Sequence, residues 1–471
     1  MARLKYWNNL LEFGSATAVY DASRQLACSY KELHLQMSMG ADLLGRERKL
    51  VVLLFGSNDF ATIALYLSAL EAGHSLLISP VSTRHPAAGE LIDKYRPEIV
   101  LSRDGAWQSE RSTIYCPCEQ ILNYICFRRR TASDPPPYKD IGLLLLTSGS
   151  SGDAKTVRLS FQGVDAGAQA VAEALRMGEG VRVLGSLPFA YVYGLTVLNS
   201  VLQSGSAIHL LSGSAADPLF WKGVAAAGIT MLPAVSQTLA FMRHHDVKRS
   251  TLSSLKQITH SGEPLELALF GWIYEQFAAS GVDIYLMYGQ TEAGGRISVL
   301  PPEQLPGRHR SVGKAISTAQ ISISPSGEIL VRGASVMLGY AQRREDLSGG
   351  GDQIDALHTG DFGYLDANGF LFVTGRLSRD RKIFGKRINL DAIEAYTDRN
   401  NRAAVVEDGG LIYVVAEASA AGQLPSIAGL AGHFQVPPQA FRMRVVEKLP
   451  RGDRGKVAYD ELIGSVRESN H

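Results

Sequence analysis

Cysteine is scarce in this chain, four residues in 471, which excludes a disulfide-stapled scaffold. Cys116 and Cys118 flank Pro117, Cys126 follows, and Cys28 is distant in sequence. A zinc site would want a fourth ligand nearby, so reduced thiols are expected. Long apolar runs are also lacking. The runs at 51–55 and 143–146 fall well short of the ~20 residues that cross a bilayer. Residues 1–8 lack the apolar core of a signal peptide, so a cytoplasmic setting is expected. Nor is there an excess of one charge. Lys and Arg number 47 against 46 Asp and Glu, a net charge of +1, which gives no reason to invoke nucleic acid or a membrane held by charge. No internal repeat is visible.

What is present is a globular composition, 45% hydrophobic and 20% charged. The length exceeds one ordinary core, so at least two domains are expected. Apolar runs at 51–55, 75–79, 99–102, 143–146, 183–187, 207–211, 230–233, 257–261 and 284–287 read as short buried strands. Helical stretches such as 60–72 and 164–175 lie between many of them. That alternation predicts an α/β fold of helix-covered, parallel sheets. From Ser311 to Phe372 short strands and Gly turns take over, predicting a β-rich portion. Asp134-Pro135-Pro136-Pro137 reads as a stiff linker and Ser348-Gly349-Gly350-Gly351 as a flexible turn.

The run Leu143-Leu144-Leu145-Leu146-Thr147-Ser148-Gly149-Ser150-Ser151-Gly152-Asp153-Ala154-Lys155 carries the strongest chemical signal. An apolar strand leads into small and hydroxyl residues, with a Lys three positions on. Small side chains let backbone approach an anion, successive N–H groups form a nest, and the Lys adds charge. The spacing is not that of a Walker A loop. A second apolar run, Ile284-Tyr285-Leu286-Met287, leads into Tyr288-Gly289-Gln290-Thr291-Glu292. Tyr288 offers a flat face for a base, Thr291 a donor for phosphate, and Glu292 an oxygen ligand for a hard cation such as Mg2+.

Together these segments resemble the ANL superfamily: acyl-CoA synthetases, carrier-loading adenylation domains and firefly-type luciferases. Further landmarks follow in the family's order. They run from Ser29-Tyr30-Lys31-Glu32-Leu33 through His358-Thr359-Gly360-Asp361, Gly375-Arg376-Leu377 and the segment 382–394 to Leu449-Pro450-Arg451-Gly452-Asp453-Arg454-Gly455-Lys456. The resemblance implies a large multi-layer N-terminal domain, residues 1–375, and a small, mobile α+β lid, 376–471. It implies ATP and Mg2+ as cofactors, and a stand-alone enzyme that makes an acyl adenylate and passes it to CoA or to a phosphopantetheinyl carrier protein. Thr147, Ser148, Gly149, Ser150, Ser151, Gly152 and Lys155 would hold the β- and γ-phosphates. Glu292 would hold the metal and Thr291 the α-phosphate. Gly262 and Glu263 would belong to the adenine wall, with Tyr288, Gly289 and Gln290 beside the nucleotide. Asp361, supported by Arg376, would accept from the ribose hydroxyls, and Lys456 would bridge carboxylate and α-phosphate.

Leu187-Pro188-Phe189-Ala190-Tyr191-Val192-Tyr193-Gly194-Leu195 resembles the family's acyl-site element. Amino-acid adenylating members usually carry an Asp where this chain has Val192. A buried ammonium without a carboxylate is costly, so an acid lacking an α-amino group is expected, with an amino-acid adenylating enzyme as the alternative and a non-catalytic nucleotide-binding regulator as the third. Tyr191 reads as a gate or as an ordinary half-buried aromatic. Gly194, Gly294 and Gly295 complete the expected pocket, the last two leaving room for an acyl group. Arg296 would pair with a second carboxylate or face solvent. Ser378 stands where the family usually has a hinge Lys or Asp. Arg128-Arg129-Arg130 and the cluster Arg379, Arg381, Lys382, Lys386 and Arg387 offer basic surfaces for a thiol acceptor, or solvated faces.

Overall fold

Strand Val51–Phe55 shows why the middle of this protein is parallel sheet. All five residues are buried, as a run apolar on both faces requires. It pairs in parallel with Ser75–Ser79 and Ile99–Ser102. The sheet extends in the order Tyr340–Ala341, Thr156–Ser160, Ile141–Leu146, Ser75–Ser79, Val51–Phe55, Ile99–Ser102, Tyr124–Arg129, Tyr115–Ile121. Its outer pairs are antiparallel. The computed structural model describes residues 5–79, 81–108, 111–131, 133–147, 155–351, 354–383, 386–397, 402–452 and 457–468.

A second sheet runs Lys314–Ala315, Ser298–Leu300, Asp283–Tyr288, Gln257–His260, Met231–Ala234, Arg182–Leu184, Ala207–Leu210, Thr17–Asp21, Leu26–Ser29. Its core is parallel and its ends antiparallel. The expected helix-covered parallel sheets are therefore present, with antiparallel margins that periodicity does not reveal. The run expected over 183–187 is shorter: its strand ends at Leu184, and Pro188 just beyond has no N–H to pair. Helix Phe60–Glu71 is buried from Phe60 to Leu70, as its apolar circumference demands. Asp59 caps it, accepting from Thr62 N at 2.9 Å. The landmark at Ser29 is a capping box: Glu32 N donates to Ser29 Oγ at 3.2 Å and Ser29 N to Glu32 Oε2 at 2.8 Å.

The β-rich portion is an antiparallel four-stranded sheet, Ala319–Ile323, Glu328–Gly333, Leu357–Leu365 and Leu371–Arg376. Beyond it lie a hairpin, Asp380–Ile383 with Lys386–Asn389, and a three-stranded sheet, Ala403–Asp408, Leu411–Glu417 and Phe441–Val446. Two apolar clusters drawn wholly from residues after Arg379 fill this C-terminal part. Asp134 is no free spacer, because it takes donors from Arg96 at 2.8 Å and Arg129 at 2.5 Å. No described helix is long and apolar enough to cross a membrane.

Three imidazoles, His74, His209 and His260, are buried, and burial pushes each down to about 4. They stay neutral in the fold but take up protons near pH 6.5 once unfolded. Their contribution to stability is thus complete above that pH and is lost as pH falls toward 4. We expect thermal stability to drop steeply from pH 6.5 to 5, by about 1.4 kcal/mol per pH unit for each proton taken up. His260→Asn should reduce that slope by one proton; an unchanged pH–stability curve would show that His260 is not a neutral buried group.

Candidate active site

The two chemistry-bearing loops are held by the two sheets. At the first, Thr147 N and Oγ1 donate to Lys155 O at 2.9 and 3.0 Å, closing the hairpin between Ile141–Leu146 and Thr156–Ser160. Ser148, Gly149, Ser150, Ser151 and Gly152 lie outside the described residues. Lys155 is exposed, and its Nζ sits 5.1 Å from the centre of the Tyr340 ring. Tyr340 OH donates to Glu292 Oε1 at 2.9 Å. Tyr340 thus joins the first loop's cation to the second loop's carboxylate. Sequence reading missed it, because its place depends on pairing with Val157 at the sheet edge, which no local pattern encodes.

The second loop follows strand Asp283–Tyr288 and doubles back. Gly295 N donates to Gln290 O at 2.9 Å and Ile297 N to Tyr288 O at 2.8 Å. Between them Thr291–Ala293 forms one helical turn. Gly294 and Gly295 take φ of 66° and 95°, the left-handed region that favours glycine. A Cβ at Gly289 would lie 2.2 Å from Gly295 O, so only glycine permits this closure.

Tyr288 OH donates to Asp361 Oδ2 at 2.5 Å. Arg376 Nε lies 3.1 Å from Asp361 Oδ1, across the register pair that joins their strands. Asp361 is 4% exposed. Burial pushes its pKa up, opposed by the Arg376 charge and the Tyr288 hydrogen bond. The Tyr288 phenol is pushed well above its usual range by burial and by the Asp361 charge. Tyr288, Asp361 and Arg376 are therefore brought together, as are Lys155 and Glu292 through Tyr340.

Gly262, with φ 106°, and half-buried Glu263 follow strand Gln257–His260, the parallel neighbour of Asp283–Tyr288. Ligands of such sheets bind outside the carboxyl ends of the strands, where these loops gather. Tyr191 precedes helix Val192–Ser204. Gly194 lies in its first turn, where a Cβ would meet Pro188 O at 2.3 Å. A Cβ at Gly295 would meet Thr196 Oγ1 at 2.4 Å and Val192 Cγ2 at 2.7 Å, so this glycine brings loop and helix into contact. Val192, Leu195, Thr196 and Gly294, with Leu143 and Leu145, line a cavity of about 20 Å³.

Lys456 lies outside the described residues; Arg451 and Val457, on either side of it, form an antiparallel bridge. The expected basic surface after the hinge is altered by its partners. Arg379 donates to Asp391, Glu394 and Val405 O, each at 2.7 Å, and Arg381 pairs with Glu407 at 3.3 Å. Arg129 is likewise paired with Asp134 at 2.5 Å, and Arg128 donates to Leu43 O at 2.5 Å.

The family described as AMP-binding enzyme matches residues 7–341. A 2-succinylbenzoate–CoA ligase of Bacillus cereus is 31% identical over 246 residues, 50% of this chain and 50% of that protein. A probable CoA ligase of Humulus lupulus is 26% identical over 352 residues, 68% of this chain and 65% of that protein. The chain spans about half the length of the Bacillus relatives it matches. Among solved structures, o-succinylbenzoate CoA synthetase from Bacillus subtilis with its acyl-adenylate intermediate is similar over 98% of both chains, with 21% identity and a TM-score of 0.74. ATP-bound MatB from Rhodopseudomonas palustris is similar over 99% of this chain and all of that one, with 18% identity and a TM-score of 0.78. At such identity the likeness establishes the fold: a large N-terminal and a smaller C-terminal domain.

The closure at Gly289 is directly testable. Gly289→Ala forces its Cβ against the Gly295 carbonyl, so the loop bearing Thr291 and Glu292 must shift. We expect a loss of about 1–3 kcal/mol in denaturant unfolding. Unchanged stability would mean that the loop is not closed as tightly as this contact demands.

Proposed function

The chain belongs to the AMP-binding enzyme family, the group its motifs resemble, and from that premise we propose that it activates a carboxylic acid with ATP and transfers the acyl group to CoA. A carboxylate oxygen attacks the α-phosphorus of ATP, and the bond to pyrophosphate breaks. A thiol sulfur then attacks the acyl carbon of the adenylate, and AMP leaves. The observation that carries this reading is Asp361, a nearly buried carboxylate held by Tyr288 and Arg376 next to the loop of Thr291 and Glu292.

Asp361 accepts from the ribose hydroxyls, and Tyr288 presents its ring to the base with Gly289, Gln290, Gly262 and Glu263 around it. Residues 147–152 and Lys155 hold the β- and γ-phosphates, and Thr291 donates to the α-phosphate. Such a reaction needs cations and donors around the phosphates more than an acid–base pair. Glu292 has a hard oxygen donor set that suits Mg2+, which when bound would neutralise phosphate charge. Lys456 bridges carboxylate and α-phosphate in the first step only. Residues 1–375 form the larger domain and 376–471 a lid whose rotation admits the thiol.

The lining around Val192 holds no carboxylate, which supports an acid without an α-amino group, since nothing in it neutralises an ammonium. The relatives named as CoA ligases favour CoA over a carrier protein as acceptor. Four free thiols suit a reducing, cytoplasmic setting.

Lys456→Ala is expected to abolish acid-dependent ATP–pyrophosphate exchange and to spare transfer from supplied acyl adenylate. Equal loss of both half-reactions would refute the role given to Lys456. In the same assay Asp361→Ala should raise the KM for ATP by about 100-fold or more, because two charge-assisted hydrogen bonds are lost. Unaltered nucleotide affinity would place the ribose elsewhere.

A further inference from the structure

The loop that begins at Tyr288 ends on a cation that the chemistry above does not use. Arg296 is 2% exposed. Its Nη1 donates to Ser261 Oγ at 2.6 Å, and its guanidinium carbon lies 4.9 Å from the centre of the Tyr193 ring. Its Nε has no hydrogen-bond partner. Among the described residues no carboxylate forms an ion pair with it, and the Tyr193 phenol beside it is itself held neutral by burial. Burial lowers its pKa only to about 10, so it stays charged at neutral pH. Gln290 Nε2, on the same loop, is a second buried donor without an acceptor.

A buried guanidinium with one neutral acceptor and one ring face is undercompensated. Its place narrows what completes it. Ser261 follows the carboxyl end of strand Gln257–His260, and Tyr193 lies in the first turn of helix Val192–Ser204, whose Val192 meets Gly295. These are the elements that flank the proposed acyl site.

We propose that the acid activated here carries a second carboxylate, remote from the reacting one, and that Arg296 and Ser261 bind it. The inference rests on the adenylation reading above. A carboxylate matches the planar guanidinium fork. The reacting carboxylate is a poor partner, because it loses its charge on becoming the adenylate and would leave Arg296 buried and unpaired. A second carboxylate stays charged through both half-reactions.

The test is ATP–pyrophosphate exchange on the full chain, with short aliphatic and aromatic dicarboxylic acids, each matched to the monocarboxylic acid that lacks the second carboxyl. We expect the best dicarboxylate to exceed its monocarboxylate partner by about 100-fold or more in kcat/KM. Arg296→Met should erase that preference chiefly by raising KM for the dicarboxylate, bringing the ratio between the two acids toward one, and Arg296→Lys should restore part of it. A merely structural arginine would lower both acids alike. Monocarboxylates used as well as dicarboxylates by the unaltered protein would overturn the inference and leave adenylation standing. Exchange with neither class would overturn the adenylation reading, and this inference with it.

Discussion

A carboxylate with 4% exposure cannot stay charged without donors, and Asp361 finds its two in separate parts of the chain. Tyr288 ends a strand of the nine-stranded sheet, while Arg376 ends a strand of the four-stranded sheet. Their meeting at one side chain locks the β-rich portion against the large sheet. Arg376 also carries the chain onward: its N–H donates to Asp391 Oδ2 at 2.9 Å, and its carbonyl accepts from Asn389 Nδ2 at 2.6 Å. The acid proposed to hold the ribose is thereby one ion pair away from the C-terminal part. On the proposed reading, nucleotide binding and the position of that part share a residue, a physical link of the kind a two-step enzyme with a moving lid uses.

The second loop depends on absence of side chains as much as on their presence. Gly289 lets strand and return segment touch, and Gly295 lets the loop meet helix Val192–Ser204. Room for an acyl group, expected at Gly294 and Gly295, is only partly what these glycines provide. Gly294 lines the small cavity, whereas Gly295 lies in close contact with Val192 and Thr196. The loop is fixed from both sides, so Thr291 and Glu292 are presented on rigid backbone. That is the condition for stabilising charge that develops during reaction without reorganisation.

The fold was legible where local pattern and tertiary demand agree. Runs such as Val51–Phe55 and Ile284 to Met287 are apolar because helices or a second sheet cover both faces, and the pattern carries that burial directly. The site was legible in its loops, because Thr147 and Lys155, or Tyr288 and Glu292, lie close together in sequence. Tyr340 was not, since its contact with Glu292 arises from an edge pairing between segments about 180 residues apart. Arg296 was left between solvent and an anion for the same reason. Only the fold reveals that Tyr193 and Ser261, from two other elements, bury it.

Charge just after Arg376 shows how composition misleads when partners are distant. Arg379 and Arg381 read as a basic face toward an incoming thiol. In the fold, Arg379 lies over the Tyr459 ring at 4.0 Å and bonds to Asp391 and Glu394, while Tyr459 OH donates to the other oxygen of Glu394 at 2.8 Å. This partly buried network ties the turn Leu377–Arg379, helix Leu390–Thr397 and helix Tyr459–Glu468 together. Drawing Arg379 out to meet an anionic acceptor would break its bonds to Asp391, Glu394 and Val405 O together and leave the partly buried Glu394 without its cation. The residue is better understood as what organises the C-terminal part than as what greets its substrate.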